Sequence, residues 1–343
     1  MDEIICNGED FINQVNNYID ANYAECKIAL LIDENTTTHC LPLIMPILQH
    51  RNYYLIHINS GETTKNLQTS KKLWQKLINL NFDRNSLFIV LGGGVLCDIG
   101  GFIATTYKRG VNFIYMPTTL LAQTDAAWGG KNGINFNKLK NQIGTINLPN
   151  LVAVNPDFLN TLPDREFSSG LAEVIKHGII GDKSILKDIE DGVSYSSEYL
   201  LPIIKKSVNV KKEIVDKDIN DWSERKKLNF GHTVAHAIEA VYEDKYSHGS
   251  CVALGMLTSL YLSKKLLNLN YNDYTYCCDI VFNNIPLPKI YAEDIPTIIN
   301  KMSYDKKNYD GEINFVLLKG IEDAVINISV TEDQILEALL HNL

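Results

Sequence analysis

The sequence has no Cys-x-x-Cys pair, no long apolar run and no surplus of basic residues. Its seven cysteines are odd in number and scattered, with two adjacent at Cys277 and Cys278. That distribution excludes a disulfide framework and a zinc ribbon, and a reducing cytoplasm is the expected setting. No apolar stretch approaches the roughly 18 residues that span a bilayer. The opening Met1-Asp-Glu-Ile-Ile-Cys-Asn-Gly-Glu-Asp10 is acidic and lacks the basic-then-apolar order of a signal peptide, so no membrane partner is expected. Lys and Arg number 32 against 41 Asp and Glu, a net charge of −9. A polyanion needs a stripe of clustered cations, so no nucleic acid partner is expected, and any phosphate bound here must meet a local cationic pocket. There is no internal repeat or low-complexity tract.

What is there reads as a two-part globular chain. Its apolar fraction of 45% and charged fraction of 21% are ordinary for a packed protein, and 343 residues exceed what one core usually fills. Ile28–Ile32, Tyr53–Ile58, Ser86–Leu91 and Asn112–Met116 are short β-branched runs, with helical stretches such as Ser70–Leu80 between them. That alternation predicts a Rossmann-like, doubly wound parallel sheet over residues 1–157. From residue 158 to 343 the period turns helical, over Asp164–Ile180, Leu200–Val215, Gly231–Val241 and Cys251–Leu266. A short strand at Ile313–Leu318 and a helix over Thr331–Leu340 close the chain.

Two glycine-rich stretches sit where strands should end. Ile89-Val-Leu-Gly-Gly-Gly-Val-Leu-Cys-Asp98 runs from a strand into a helix. Backbone amides without a neighbouring Cβ, plus a helix N-terminus, suit a pyrophosphate. The spacing is not G-x-G-x-x-G, so a tight turn without a ligand stays open. Pro117-Thr-Thr-Leu-Leu-Ala-Gln-Thr-Asp-Ala-Ala-Trp-Gly-Gly-Lys131 crowds hydroxyls, a carboxylate and a lysine at a strand's carboxyl end, where open α/β sheets place ligands.

The second half concentrates metal-binding side chains. In Leu228-Asn-Phe-Gly-His-Thr-Val-Ala-His236 a helix would set His232 and His236 one turn apart on one face. With His248 and a carboxylate from Ser168–His177, the set suits a divalent metal. Spacing alone leaves a satisfied packing pair open. Asn229 and Gly231, which weaken a helix interior, argue against plain packing.

Taken in order, Gly61-Glu-Thr-Thr-Lys65, Gly92-Gly-Gly-Val-Leu-Cys-Asp98, Pro117–Asp125, Gly129-Gly-Lys131, Lys140-Asn141, Ala172-Glu-Val-Ile-Lys176, Leu228-Asn-Phe-Gly-His232 and His248-Gly249 resemble the 3-dehydroquinate synthase family of sugar phosphate cyclases. The resemblance implies an NAD-binding α/β domain, a mostly helical domain holding a divalent metal, usually Zn2+ with Co2+ possible, and a homodimer. It implies that Asp33, Asn35, Glu62, Lys65, Gly93, Gly94, Val95, Asp98, Thr118 and Thr119 hold NAD, and that Glu173, His232 and His248 ligate the metal. On this reading His236 is a neighbouring active-site residue and not a ligand. The implied substrate is 3-deoxy-D-arabino-heptulosonate 7-phosphate, a phosphorylated sugar acid converted to 3-dehydroquinate and phosphate in the shikimate pathway. Arg109, Lys140 and Asn141 fall on its phosphate side, with Lys306 of Asp305-Lys306-Lys307 as a helper. Lys131, Asp125, Lys176, Lys211, Arg225 and Asn229 match positions for its carboxylate and hydroxyls.

Three departures from the family pattern raise the expectation of an altered substrate or a slower enzyme. Asp125-Ala-Ala-Trp-Gly-Gly-Lys-Asn-Gly133 has Trp128 and Asn132 where the family has Val and Thr. His248-Gly-Ser250 ends in serine where the family has Glu, which could remove support from His248. Ala235 replaces a glycine. The competing readings are another sugar phosphate cyclase, a metal-dependent polyol dehydrogenase of the same broad fold, and a binding protein without activity.

Overall fold

In the computed structural model, which describes residues 1–137, 139–243, 245–303 and 313–342, the chain divides into two compact units. One comprises Met1–Leu162 with Tyr195–Lys205, and the other Pro163–Ser194 with Lys206–Leu343.

The first unit is built on strands β1 (Asp2–Ile5), β2 (Ile28–Ile32), β3 (Tyr53–His57), β4 (Leu87–Gly92), β5 (Asn112–Pro117), β6 (Lys131–Phe136), β7 (Leu139–Ile146) and β8 (Leu151–Val154). Its helices are α1 (Gly8–Tyr23), α2 (Glu34–His39), α3 (Leu41–Leu48), α4 (Leu67–Asn79) and α5 (Gly94–Thr106). Six strands form a parallel sheet in the order β1-β8-β5-β4-β2-β3. Every residue of β2 and β4 is buried, as apolar runs without alternation require when both faces of a sheet are covered. The core strings together Leu30, Ile32, Leu87, Ile89, Leu91, Ile114 and Met116 with Phe11, Val15 and Ile19 of α1. Each such side chain contributes roughly 1.5–3 kcal/mol on leaving water. Helix α5 lies close on this sheet because Gly100 carries no Cβ; one there would come 2.5 Å from Val90 Cγ2.

The chain runs outward from β2 to β3, then returns to place β4 on the other side of β2. The strand order therefore reverses between β2 and β4, the switch point at which such sheets leave a crevice outside their carboxyl ends. The expected central strands are present. Sequence reasoning did not anticipate the edge strand β1, its neighbour β8 or the separate antiparallel hairpin β6–β7 that begins at Lys131.

The second unit contains α6 (Asp164–Ile180), α7 (Ser184–Ile189), most of α8 (Ser197–Lys217), α9 (His232–Tyr242), α10 (His248–Leu266), α11 (Tyr271–Asn284), α12 (Ile295–Ser303) and α13 (Glu332–His341). Strands β9 (Ile313–Gly320) and β10 (Asp323–Val330) form an antiparallel hairpin. Helix α10 packs on α6, α9, α11 and α13, and its buried run from Gly249 to Leu260 makes it the spine of the unit. Among the described residues no helix is long and apolar enough to cross a membrane.

One expectation fails locally. Asn229 and Gly231 do not lie inside a helix: Glu224–Asn229 is a separate 3-10 turn, and Gly231 is the N-cap of α9 at φ 80°, a left-handed conformation that glycine adopts at little cost. The helix begins at His232 itself.

Candidate active site

In the first unit the residues expected at NAD all follow the carboxyl ends of four neighbouring strands. Asp33 and Asn35 follow β2, Glu62 and Lys65 follow β3, Gly93 to Asp98 follow β4, and Thr118 and Thr119 follow β5. Asp33 caps α2: its Oδ1 accepts from the Thr36 amide at 2.8 Å and hydroxyl at 3.0 Å, while Thr36 Oγ1 accepts from the Asp33 amide. Glu34 takes the Ser60 hydroxyl at 2.6 Å, drawing the loop after β3 onto α2. Gly93 is the N-cap of α5, so the first amides of that helix point into the crevice with its positive dipole end. The Thr118 amide donates to Gly92 O and holds the two strand ends together.

The buried Lys65 bonds Asp98 Oδ2 at 2.5 Å and stands 3.7 Å from Glu62 Oε1. Although 24% of the Asp98 side chain remains exposed, desolvation raises its carboxyl to about 6 against the pull of the Lys65 ammonium.

The expected substrate residues of this unit are spread along it. Asp125 lies in a π-helical turn over Ala122–Ala126, and Lys131 opens β6. Lys140 and Asn141 start β7, with Asn141 left-handed at φ 53° and its amide bonded to Asn135 Oδ1 at 2.9 Å. Arg109 follows the far end of α5, at φ 67°. From Asp98 to Thr106, just before Arg109, is about 12 Å of helix at 1.5 Å per residue. Lys306 lies outside the described residues.

Two of the departures are absorbed by the core of this unit. Trp128 is 2% exposed, and its indole N–H donates to Gln123 O at 2.7 Å. Asn132 is 5% exposed; its Oδ1 accepts from Tyr115 at 2.6 Å and its Nδ2 donates to Asn147 O at 2.9 Å.

In the second unit three helices converge on one point. Glu173 sits mid-way along α6, wholly buried, and the first residues of α9 and α10 are His232 and His248. Their ligand atoms all lie within 4.8 Å of one another. Glu173 Oε1 is 3.4 Å from His232 Nε2 and 3.3 Å from His248 Nε2, yet it has no hydrogen-bond partner. The tautomers explain why. His232 Nδ1 faces Phe230 O at 3.2 Å and His248 Nδ1 faces Glu239 Oε1 at 2.8 Å, so each Nδ1 carries the proton and each neutral Nε2 presents a lone pair. With both rings neutral, three lone pairs meet with no proton between them, an arrangement that a cation satisfies.

The electrostatics agree. Burial would push the Glu173 carboxyl up, but Lys176, which bonds Oε2, and His232 outweigh it and hold the group well below the carboxylate range. Burial and Lys176 depress His232. For His248, burial is overcome by the carboxylates of Glu173 and Glu239, which accept from the protonated ring and raise it to about 10. Without a cation this centre takes up a proton at His248; a divalent ion competes for that position.

His236 stands beside His232, with ring centroids 5.5 Å apart, but is not in the ligand group, so the expectation drawn from spacing that both face one ion is corrected. The partner that matters to His248 is Glu239, which sequence reasoning missed. It lies three residues beyond His236, where helical periodicity puts it on the same face of α9. Ser250 takes no part in that support; it completes the cap of α10 with Ser247. Lys176, Lys211 and Arg225 are all buried cations of this unit. The Arg225 guanidinium donates to Ile219 O at 2.7 Å, and Asp218 gathers the amides of Trp222, Ser223 and Arg225 into the turn that precedes Asn229.

Comparison with known proteins matches both units to one family. Residues 55–169 match the model for the 3-dehydroquinate synthase N-terminal region and residues 170–308 that for its C-terminal region. The chain is 40% identical over 321 residues to a 3-dehydroquinate synthase of Parabacteroides distasonis, covering 91% of this chain and 90% of that one. Among solved structures, 2-epi-5-epi-valiolone synthase from Streptomyces hygroscopicus subsp. jinggangensis 5008, with NAD+ and Zn2+ bound, superposes with a TM-score of 0.87 at 24% identity, over 99% of this chain and 96% of that one. A 2-deoxy-scyllo-inosose synthase complexed with carbaglucose-6-phosphate, NAD+ and Co2+ gives 0.86 at 22% identity, over 96% and 95% of the two chains. At these identities the two structures speak for the fold alone.

Proposed function

The chain belongs to the 3-dehydroquinate synthase family, and from that premise we infer that it converts 3-deoxy-D-arabino-heptulosonate 7-phosphate to 3-dehydroquinate and phosphate, a step of the shikimate pathway toward aromatic amino acids. The observation that carries this reading is the convergence of three lone pairs from Glu173, His232 and His248 on one buried point.

The chemistry NAD supplies when bound is acceptance and return of one hydride, which leaves the cofactor unchanged overall. The chemistry of a divalent cation when bound is Lewis-acid polarisation of the substrate carbinol oxygen. The chain provides the rest. Glu173, His232 and His248 hold the cation, and Lys176 keeps Glu173 ionised. Gly93, Gly94 and Val95 take the pyrophosphate at the start of α5, with Asp33 and Asp98 as acceptors for ribose hydroxyls and Asn35, Glu62, Lys65, Thr118 and Thr119 completing the cofactor's surroundings. His236 accepts the carbinol proton beside His232. Lys131, Asp125, Lys211, Arg225 and Asn229 fix the carboxylate and hydroxyls. Lys140 and Asn141 hold the phosphate until it leaves, a cationic task that a chain of net charge −9 must assign to particular side chains.

The proposal includes a homodimer in the cytoplasm. Arg109, beyond the C-terminal end of α5, is assigned to the phosphate of a neighbouring copy. Trp128 and Asn132 have their polar groups met inside the first unit, so neither favours a different cyclase substrate. The test is incubation of the pure protein with 3-deoxy-D-arabino-heptulosonate 7-phosphate, NAD and zinc. Phosphate and 3-dehydroquinate should appear in equal amounts without accumulation of NADH. Stoichiometric NADH from a simple polyol would instead make the protein a dehydrogenase.

A further inference from the structure

Within the first unit one asparagine outside every expected ligand set joins two of them. Asn135 sits where the register of the β6–β7 ladder slips, between Ile134 and Phe136, so its backbone is released from the hairpin. It bridges instead to Asn66, and its amide donates to Lys65 O at 2.9 Å. Its side chain works in two directions. Nδ2 donates to Glu62 Oε1 at 2.8 Å, and Oδ1 accepts the Asn141 amide at 2.9 Å. The partners fix that orientation, since a carboxylate requires the NH2 and an N–H requires the oxygen. On one side lies the Glu62, Lys65 and Asp98 cluster, and on the other the left-handed Asn141 with Lys140 beside it.

We propose that Asn135 is a positioning residue that couples NAD binding at Glu62 and Lys65 to phosphate binding at Lys140 and Asn141. A ligand that fixes the Glu62 carboxylate fixes the plane of the Asn135 amide, which in turn fixes the Asn141 N–H and the start of β7. Coupling of this kind is reciprocal, so NAD tightens phosphate by the same factor by which phosphate tightens NAD. No other neutral side chain of this length presents a donor and an acceptor at its two edges. The inference rests on the assignment of NAD and phosphate made above.

The experiment measures inorganic phosphate binding to the zinc-loaded protein with and without saturating NAD. In the wild type NAD should tighten phosphate by about tenfold, within the usual range for coupled sites. Asn135→Ala should bring that factor below about two. Asn135→Asp keeps an acceptor for Asn141 but sets a carboxylate against Glu62. It should leave NAD-free phosphate affinity within about twofold of wild type and still abolish the coupling. A wild type without coupling, or an Asn135→Asp protein that retains it, overturns the proposal. Lys140→Ala tests the underlying reading separately: it should weaken phosphate by at least about tenfold. If it does not, the phosphate assignment fails, whatever Asn135 does.

Discussion

The carboxylate of Glu239 decides how His248 offers its lone pair. By accepting the Nδ1 proton it fixes the tautomer and the ring plane, and removal of such a partner typically costs 10–100-fold in metal affinity. Glu239→Ala should therefore raise the zinc dissociation constant by roughly that factor, measured by competition with a chromophoric chelator, while NAD affinity stays within about twofold. An unchanged zinc affinity would leave His248 oriented by packing alone. Asp98 gives a second prediction. Its carboxyl ordinarily titrates at 3.8 and is raised to about 6 in the fold, so the native protein holds this proton more tightly than the unfolded chain does. The stability it contributes is present at low pH and declines as pH rises from 3.8 through 6, by at most about 3 kcal/mol. NAD-free Asp98→Asn should accordingly exceed wild type in stability at pH 7.5, with the gap closing as pH falls through that window. Denaturant titrations at several pH values read this directly, and a gap independent of pH would refute it. At this scale the sequence disclosed residue types better than partnerships. The His232 and His236 spacing was visible because it lies on one helix, whereas the ligand group draws on α6, α9 and α10, and no local period reports that.

The elements that could be read in advance were those with a strong period or a fully apolar run. Strands β2 and β4 are buried on both faces and read as continuous hydrophobic segments, and α6, buried from Ser169 to its end, is bounded correctly at both ends. Strands β1 and β8 have four residues each, too few to establish any pattern. The β6–β7 hairpin was hidden for another reason. Strand β7 is almost wholly exposed and rich in Lys, Asn, Gln and Gly, so no buried face imposes alternation on it. Gly231 was legible as a glycine but misplaced within α9. Its left-handed φ and the 2.8 Å that would separate an added Cβ from the Met256 amide make it indispensable to the entry of that helix. Gly231→Ala should destabilise the protein by about 1–3 kcal/mol and displace His232, lowering zinc affinity in parallel. Full stability in equilibrium unfolding would show that α9 can start without the left-handed residue.

For the whole molecule, the proposed function assigns NAD to the first unit and the divalent cation to the second. If Arg109 serves a neighbouring copy, mixing two inactive proteins restores turnover. Arg109→Ala and His248→Ala, each inactive alone, should after subunit exchange recover roughly a quarter of wild-type activity, on the statistical count of mixed dimers with one intact site. No recovery, with exchange verified by mass, would return Arg109 to its own chain. The position of His232 and His248 at the heads of α9 and α10 has a further consequence. Two positive helix ends would face an ion held there, each opposing it by about 0.3–1 kcal/mol, so the ion would be held up to roughly thirtyfold more loosely than the same three side chains would hold it elsewhere. Repulsion of that kind would make the centre easier to strip. If the centre holds zinc as proposed, turnover should rise and fall with the concentration of the free ion.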